Sequence, residues 1–144
     1  MECGDQHLLY VEGMFVHKGE YTVEVQVKGE TLSFLTQEEI IGFCAGDEVG
    51  VAFCEKEGKN VLLSLERLDG PPLSYAYGEW FAEIIFIDWM DERTFLFDLY
   101  RSPYRDHEKM IVEGEPVPKR QSGENMTVIF VRKDGKNVLK KIIS

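Results

Sequence analysis

The 144-residue chain is poor in residues that bind metals or build disulfide frameworks. It has only three cysteines and three histidines. The cysteines form no CxxC pair, and no histidine lies at zinc-ligand spacing from a cysteine. We therefore expect no metal site and no cofactor. We interpret Cys3, Cys44 and Cys54 as reduced thiols of a cytoplasmic protein.

Long apolar runs are also missing. No segment approaches the roughly 20 apolar residues that span a bilayer. The first five residues, Met1–Asp5, are acidic and lack the pattern of a signal peptide. The sequence therefore predicts a protein without a membrane segment.

Catalytic and phosphate-binding motifs are absent as well. The chain contains no GxSxG, no GxGxxG and no Walker pattern. Cys44 and Cys54 fall in apolar segments, where a core thiol is favoured over a nucleophile. The acidic cluster Asp88, Asp91 and Glu92 lacks EF-hand spacing and is typical of a solvated turn. The sequence therefore predicts a protein that is not an enzyme.

The net charge of −10 is unevenly distributed along the chain. Residues 1–70 carry 14 acidic and 5 basic residues, a net −9, whereas residues 71–144 carry 12 and 11, a net −1. The acidic half repels nucleic acid at long range, which disfavours direct nucleic-acid binding. The acidity either serves solubility or forms a face for a basic partner. One alternative function is therefore an acidic inhibitor that occupies a nucleic-acid-binding site on another protein.

The chain does contain a repeated motif. Glu55–Leu62 returns as Arg132–Leu139, with six of the eight positions identical. A second pair of segments, Gly19–Val25 and Gly78–Ile84, is also similar. In each half of the chain this segment comes before the repeated motif. We interpret these two sequence similarities as an internal duplication.

Alternating apolar and polar residues predict five strands in the first repeat. They cover Leu8–Phe15, Tyr21–Lys28, Thr31–Leu35, Val49–Cys54 and Val61–Leu65. Between the third and fourth strands, Thr36 and Glu39 fit a capping box at the start of a short helix. Ile40, Ile41 and Phe43 would form its apolar face.

The predicted fold is therefore mostly β: two tandem, diverged small β-barrels, OB- or SH3-like, packed together, with one short helix in the first. We expect the first barrel in residues 1–68, a linker in 69–77 and the second barrel in 78–144. Each unit is too small to bury much surface alone, so we expect a shared interface. Trp80–Ile87 is apolar on both faces, which predicts cover on both faces, by the other barrel or by a homo-oligomer or partner.

The second repeat carries an insertion at 98–125. Loops of this length are often functional, and tyrosine and arginine are enriched in binding surfaces. The candidate binding residues are Tyr100, Arg101, Tyr104, Arg105 and His107. The alternative is that the insertion is a solvent-exposed loop in which Met110–Val112 forms an extra edge strand.

These observations predict a non-catalytic binding or regulatory protein. It would contact a protein partner through the inserted loop and through the acidic face. The alternative is a small-anion or nucleotide receptor. In that case Arg101, Arg105 and His107 would hold the ligand, since two arginines four residues apart can clamp a phosphate or carboxylate.

Overall fold

The structure, a computed structural model, describes residues 7–99, 107–114 and 117–143. These residues contain strands and turns but no helix. The strands are β1 Leu9–Lys18, β2 Thr22–Val27, β3 Glu30–Leu35, β4 Glu48–Lys56, β5 Lys59–Arg67, β6 Leu73–Ala76, β7 Glu79–Trp89, β8 Thr94–Leu99, β9 Glu108–Val112, β10 Asn125–Lys133 and β11 Lys136–Ile142. The prediction of a mostly β protein is confirmed, because strands dominate the described residues.

Strands β1–β5 form a closed five-stranded barrel, which we call the first ring. The order around it is β1, β2, β3, β5, β4 and back to β1. Neighbouring strands are antiparallel except β3 and β5, which run parallel and meet at a single residue pair, Leu35 with Val61. The five strands predicted in the first repeat correspond to β1–β5.

Strands β7–β11 are also hydrogen-bonded in a ring, which we call the second ring. Its order is β7, β8, β9, β11, β10 and back to β7. Here too the third and fifth strands are parallel, and they share the pairs from Asn137 with Met110 to Leu139 with Val112. Met110–Val112 is therefore not an extra edge strand, because it lies between β8 and β11.

The short strand β6 joins the two rings. It pairs with β5 on one side and with β7 on the other, antiparallel in both cases. It lies within the segment 69–77 that we expected to be a linker. The rings thus share one hydrogen-bonded sheet.

The repeated motif forms the β4–β5 and β10–β11 hairpins. The two central residues of each turn have positive φ: 54° and 78° at Glu57 and Gly58, and 53° and 76° at Asp134 and Gly135. This is the type I′ geometry, whose twist suits a two-residue hairpin. Both copies of the motif therefore form the same hairpin turn.

The second pair of similar segments does not occupy equivalent positions in the two rings. Thr22–Val27 is the second strand of the first ring, whereas Glu79–Trp89 is the first strand of the second ring. The similarity of Gly19–Val25 to Gly78–Ile84 thus follows from a common pattern, a turn glycine followed by an alternating strand. The duplication with the predicted alignment is not supported.

The predicted short helix is wrong, because residues 36–47 form bends and a turn without regular secondary structure. The capping box does not form: Thr36 Oγ1 has no hydrogen-bond partner among the described residues. Glu39 instead accepts from Lys18 Nζ at 2.6 Å. Gly42 has a φ of 84°, which interrupts any helix there. The expected apolar residues are nevertheless buried: Ile40, Ile41 and Phe43.

A buried ion pair fixes this segment against the first ring. Arg67 Nε donates to Asp47 Oδ2 at 3.3 Å, and the two side chains are only 1% and 6% exposed. The remaining guanidinium nitrogens donate to the carbonyl oxygens of Gly42 and Pro71, at 3.1 and 3.0 Å. One arginine therefore holds both the 36–47 segment and the chain that leads into β6.

The cores of the two rings are continuous. Trp80 of β7 stacks near Phe130 and Tyr75, with ring centroids 6.0 and 5.1 Å away. Its Nε1 donates to Glu38 Oε1 of the 36–47 segment at 2.8 Å, which links the second ring to the first. One face of β7 is buried, but the other is only half-buried. The predicted cover on both faces is therefore incomplete.

The cysteines differ from one another. Cys54 is disulfide-bonded, whereas Cys44 is a reduced thiol. The expectation of three reduced thiols is wrong for Cys54, and the cytoplasmic location derived from it stays a prediction. Within the described ranges, the chain has no helix suited to crossing a bilayer.

Candidate functional site

A cleft of about 490 Å³ opens on the second ring where three segments meet. These segments are the β7–β8 turn, the beginning of β9, and the β10–β11 turn with the first residues of β11. The volume falls within the range of about 300–1,000 Å³ that is typical of small-ligand pockets. We call this feature the cleft.

The β7–β8 turn contributes Met90, Asp91 and Thr94 to the cleft. Its backbone is closed by hydrogen bonds from the N–H groups of Met90 and Asp91 to the Thr94 carbonyl, at 2.8 and 3.3 Å. Asp91 Oδ1 accepts from the backbone N–H of Arg93 at 2.8 Å. The acidic turn predicted from the sequence is thus a fixed wall of the cleft.

The strand β9 and the residue before it contribute His107, Glu108, Lys109 and Ile111. His107 Nδ1 lies 2.8 Å from Asp98 Oδ1, which orients the imidazole ring. Ile111 is half-buried and lies opposite Thr94 in the β8–β9 ladder. This strand therefore presents a cation, a histidine and an apolar side chain to the same space.

The beginning of β11 contributes Lys136 and Asn137. Asn137 is only 2% exposed, whereas Lys136 is exposed. The Asn137 Nδ2 group donates to Glu108 Oε2 at 3.1 Å and to the Lys109 carbonyl at 3.0 Å. Asn137 thus ties β11 to β9 at the point where the parallel pairing begins.

Charges of both signs surround the cleft. Glu108 Oε2 accepts from Asn137 and lies 4.0 Å from Arg132 Nη1, a partly exposed ion pair at the limit of direct contact. Lys109 and Lys136 share the cleft with Asp91 and Glu108, and Asp98 lies 2.8 Å from His107. The two lysines are the groups of the cleft that offer contacts to a negatively charged ligand.

The structure places one of the five predicted binding residues in the cleft, namely His107. The other four lie outside the described residues: Tyr100, Arg101, Tyr104 and Arg105. The predicted insertion at 98–125 is not one loop, because it contains the end of β8, all of β9 and the first residue of β10.

Among the cleft residues that sequence reasoning did not select are both lysines and the buried asparagine: Lys109, Lys136 and Asn137. Two of them, Lys136 and Asn137, lie in the repeated motif, which we interpreted as evidence of an internal duplication. The signal that could have identified them is the exchange of Glu55 for Arg132 between the two copies. It gives the second copy a cation beside the asparagine.

Metal ligation has no support in the described ranges of the chain. No group of three or more histidine, cysteine, aspartate or glutamate side chains there is arranged to hold a metal ion.

A second surface lies on the first ring along β1. Tyr10, Met14 and Val16 are 56%, 46% and 40% exposed. Met14 also borders a shallow groove of about 530 Å³ that includes Glu48 and Leu68. We call this surface the β1 face.

The β1 face is acidic as well as apolar. Tyr10 Oη donates to Glu12 Oε2 at 3.0 Å. Desolvation, this hydrogen bond and the negative charges of Glu12 and Glu66 raise the pKa of Tyr10. The Tyr10 ring lies across Gly50, where the Cβ of any larger residue would collide with the phenol oxygen. Only glycine therefore allows the tyrosine this position.

Comparison of the chain with protein-family models, with curated proteins and with solved structures gives no significant match.

Proposed function

We propose that this chain is a non-catalytic binding protein whose second ring holds a small anionic ligand of the nucleotide class. The observation that carries the proposal is the convergence of His107, Lys109 and Lys136 on one cleft, in which Glu108 is held by a hydrogen bond from Asn137. Met90 and Ile111 offer apolar contact for a ring, and the lysines offer charge for a phosphate.

We also propose that the two rings are diverged barrels of the OB type that arose by duplication. The support is their common strand order, with the only parallel pair of each ring between its third and fifth strands. The irregularities also coincide. β1 shifts register between Phe15 and His17, and β7 shifts between Phe86 and Asp88. OB barrels bind ligands on the second and third strands and adjoining hairpins, where the cleft lies, although this is an argument by fold analogy.

The test is a thermal-shift and calorimetric titration with nucleoside monophosphates and with ribose 5-phosphate. A ligand at 100 times its dissociation constant stabilises a protein by about 2.7 kcal/mol, enough to raise the melting temperature measurably. Lys109→Ala and Lys136→Ala should each weaken binding about tenfold, by loss of a charge-assisted contact.

The matched control is Lys141→Ala, an exposed lysine on the same strand as Lys136 but away from the cleft. It should bind as the parent does. If no phosphate-bearing compound stabilises the parent, or if the control weakens binding as much as the cleft variants, the proposal fails.

A protein partner is a second candidate function, favoured by the β1 face. Exposed Tyr10, Met14 and Leu68 beside the carboxylates of Glu12 and Glu48 suit a partner with a basic rim and an apolar centre. This face, rather than the 98–125 segment, has the larger exposed side chains among the described residues. An acidic protein that covers a nucleic-acid-binding site would use the same surface.

The test for this candidate is capture of a basic partner by the parent and by Met14→Asp, followed by measurement of affinity for the captured protein. Met14→Asp should reduce the affinity at least tenfold, because it places a charge in the apolar centre. Tyr77→Asp, on an exposed tyrosine at the β6–β7 turn, is the control. Equal affinities of parent and Met14→Asp would exclude the β1 face.

A further inference from the structure

The strand β6 shows how the two rings are joined within the chain. It pairs on one side with the end of β5, at Ser64–Glu66, and on the other with the beginning of β7, at Glu79–Ala82. It thus covers an edge of the fifth strand in one ring and an edge of the first strand in the other. The corresponding edges on β1 and β11 have no such cover among the described residues.

The first of these edges lies on β1, which corresponds to β7 as the first strand of its ring. Before Met14, β1 pairs with β4 but with no second described strand. Over the corresponding stretch, β7 pairs with both β10 and β6. The uncovered part of β1 is apolar, because Leu8, Leu9 and Tyr10 are all exposed, Leu8 to 63%. We call Leu8–Glu12 the β1 edge.

The second edge lies on β11, which corresponds to β5 as the fifth strand of its ring. Beyond Leu139, β11 pairs with β10 but with no second described strand. The corresponding part of β5 pairs with both β4 and β6. Lys140, Lys141 and Ile143 are exposed here. We call Lys140–Ile143 the β11 edge.

The two edges differ in charge. Glu12 and Glu66 lie in one row across β1, β4 and β5, so two carboxylates accompany the β1 edge. The β11 edge contains Lys140 and Lys141, and residues 125–143 carry five basic residues and one acidic residue, a net +4. Complementary charge favours a contact between unlike edges, whereas two β1 edges or two β11 edges would bring like charges together.

We propose that this protein associates head to tail, with the β11 edge of one copy paired to the β1 edge of the next. Uncovered strand edges with apolar side chains readily pair with another chain. This inference names a second copy as the partner of the β1 face, and it rests on the proposed role of that face in binding protein. Because the two edges are different, the contact does not close on itself, and dimers extend to longer chains as the concentration rises.

The first test is sedimentation velocity of the parent over a wide concentration range, at low and at high salt. The mean mass should rise above that of the monomer with concentration. High salt should weaken the association, because it screens the charges of the two edges. A parent that stays monomeric at every concentration overturns the inference, while the capture test with Met14→Asp still decides whether the β1 face binds another protein.

The second test blocks each edge separately. The Phe15 N–H donates to Asp47 on the β4 side, so the N–H of Tyr10 points away from β4 by the alternation of an antiparallel ladder. Tyr10→Pro therefore removes an outward donor at a position where an edge strand tolerates proline. Ile143→Glu places an acid on the β11 edge. Each variant should weaken the self-association at least about tenfold.

Controls separate blocked pairing from a damaged fold. Tyr21→Glu changes another exposed residue of the first ring, after β1 and away from the β1 edge, and should associate as the parent does. The melting temperature of each variant is measured first. Should Tyr10→Pro be unfolded, Glu12→Lys replaces it, because this variant reverses a charge of the β1 edge and leaves the backbone intact.

Mixing the two blocked variants tests the head-to-tail arrangement itself. Tyr10→Pro retains the β11 edge and Ile143→Glu retains the β1 edge, so the equimolar mixture should form dimers and nothing larger. Each variant alone should remain monomeric. Association of Ile143→Glu alone would indicate contact between two β1 edges, and association of Tyr10→Pro alone would indicate contact between two β11 edges. Either result, or a mixture that stays monomeric, refutes the head-to-tail arrangement.

Discussion

The two rings use the same turn before their fourth strands but secure it differently. Asp47 Oδ2 accepts from the backbone N–H of Cys44 at 2.9 Å, and Glu124 Oε1 accepts from that of Gln121 at 3.1 Å. The carbonyls of Asp47 and Glu124 each accept, at 2.8 Å, from the N–H of a phenylalanine on the first strand of the ring. The local geometry of the turn therefore does not require a buried cation.

The difference lies in the arginine. Asp47 pairs with the buried Arg67, whereas Glu124 lies 3.7 Å from Arg120 and its side chain is 44% exposed. The first ring needs the buried pair because Arg67 also holds Gly42 and Pro71, at the boundary with the second ring. The contrast indicates that the ion pair serves the junction of the rings and not the turn itself.

The largest expected effect tests this contrast. Asp47→Ala should lower the free energy of unfolding by about 3–5 kcal/mol, because it leaves Arg67 buried without its carboxylate. Glu124→Ala removes the equivalent turn acceptor and should cost less than about 1 kcal/mol, since its ion pair is exposed. Urea denaturation of both variants measures the two losses. Similar losses would mean that the turn, and not the arginine, determines the stability.

A second difference concerns the first strand of each ring. Leu9 lies opposite Phe53 in the first ring, as Trp80 lies opposite Phe130 in the second. Leu9 is 39% exposed, whereas Trp80 is fully buried beneath the 36–47 segment. The same structural position is therefore an outer surface in one ring and part of the junction in the other.

Substitutions at these two positions should differ accordingly. Trp80→Phe should cost about 2–3 kcal/mol, because it leaves a gap and removes the donor to Glu38. Leu9→Ala should cost less, about 1 kcal/mol, since Leu9 is already 39% exposed whereas Trp80 is fully buried. Thermal and urea denaturation give both values. A costly Leu9→Ala would show that the outer end of the first ring is also covered.

The smallest expected effect depends on pH. Burial, with a further contribution from the negative charge of Glu38, raises the pKa of Tyr75 to about 12. The folded state therefore keeps the phenol protonated where the unfolded chain would ionise. The corresponding stability is present below about pH 10 and is lost as the pH rises from about 10 to about 12.

Over this range, the parent should lose about 1–2 kcal/mol more than Tyr75→Phe. Tyr77→Phe is the control, because this neighbouring tyrosine is 70% exposed. Its free energy of unfolding should fall with rising pH as much as that of the parent. Urea denaturation at about pH 9.5 and at higher pH measures the difference. If the free energy of unfolding of Tyr75→Phe also falls as much as that of the parent, ionisation of the Tyr75 phenol does not destabilise the junction.

The sequence predicts the strands well because apolar residues alternate in segments that are half-buried. It fails for residues 36–47, where Ile40, Ile41 and Phe43 satisfy a helical pattern but are buried by contacts with distant strands. The capping box was a correct local pattern, yet Glu38 and Glu39 find stronger partners in Trp80 and Lys18. Such tertiary contacts override local propensity and are not visible in the sequence.

The candidate site was predictable only in part. His107 could be chosen from its residue type and loop position. Asn137 could not, because the sequence contains Asn60 at the same position of the other copy of the motif and does not say which copy lines a cleft. The roles of Lys109 and Lys136 depend on the parallel approach of β9 and β11, a long-range pairing that no local pattern specifies.

The strand β6 has a consequence for attempts to divide the protein. Because it is hydrogen-bonded to β5 and β7 at once, any cut between the rings exposes the backbone of at least one of these strands. Such an unprotected edge invites pairing with other chains. Fragments that contain one ring should therefore aggregate or exchange strands, and the cleft should be studied only in the intact chain.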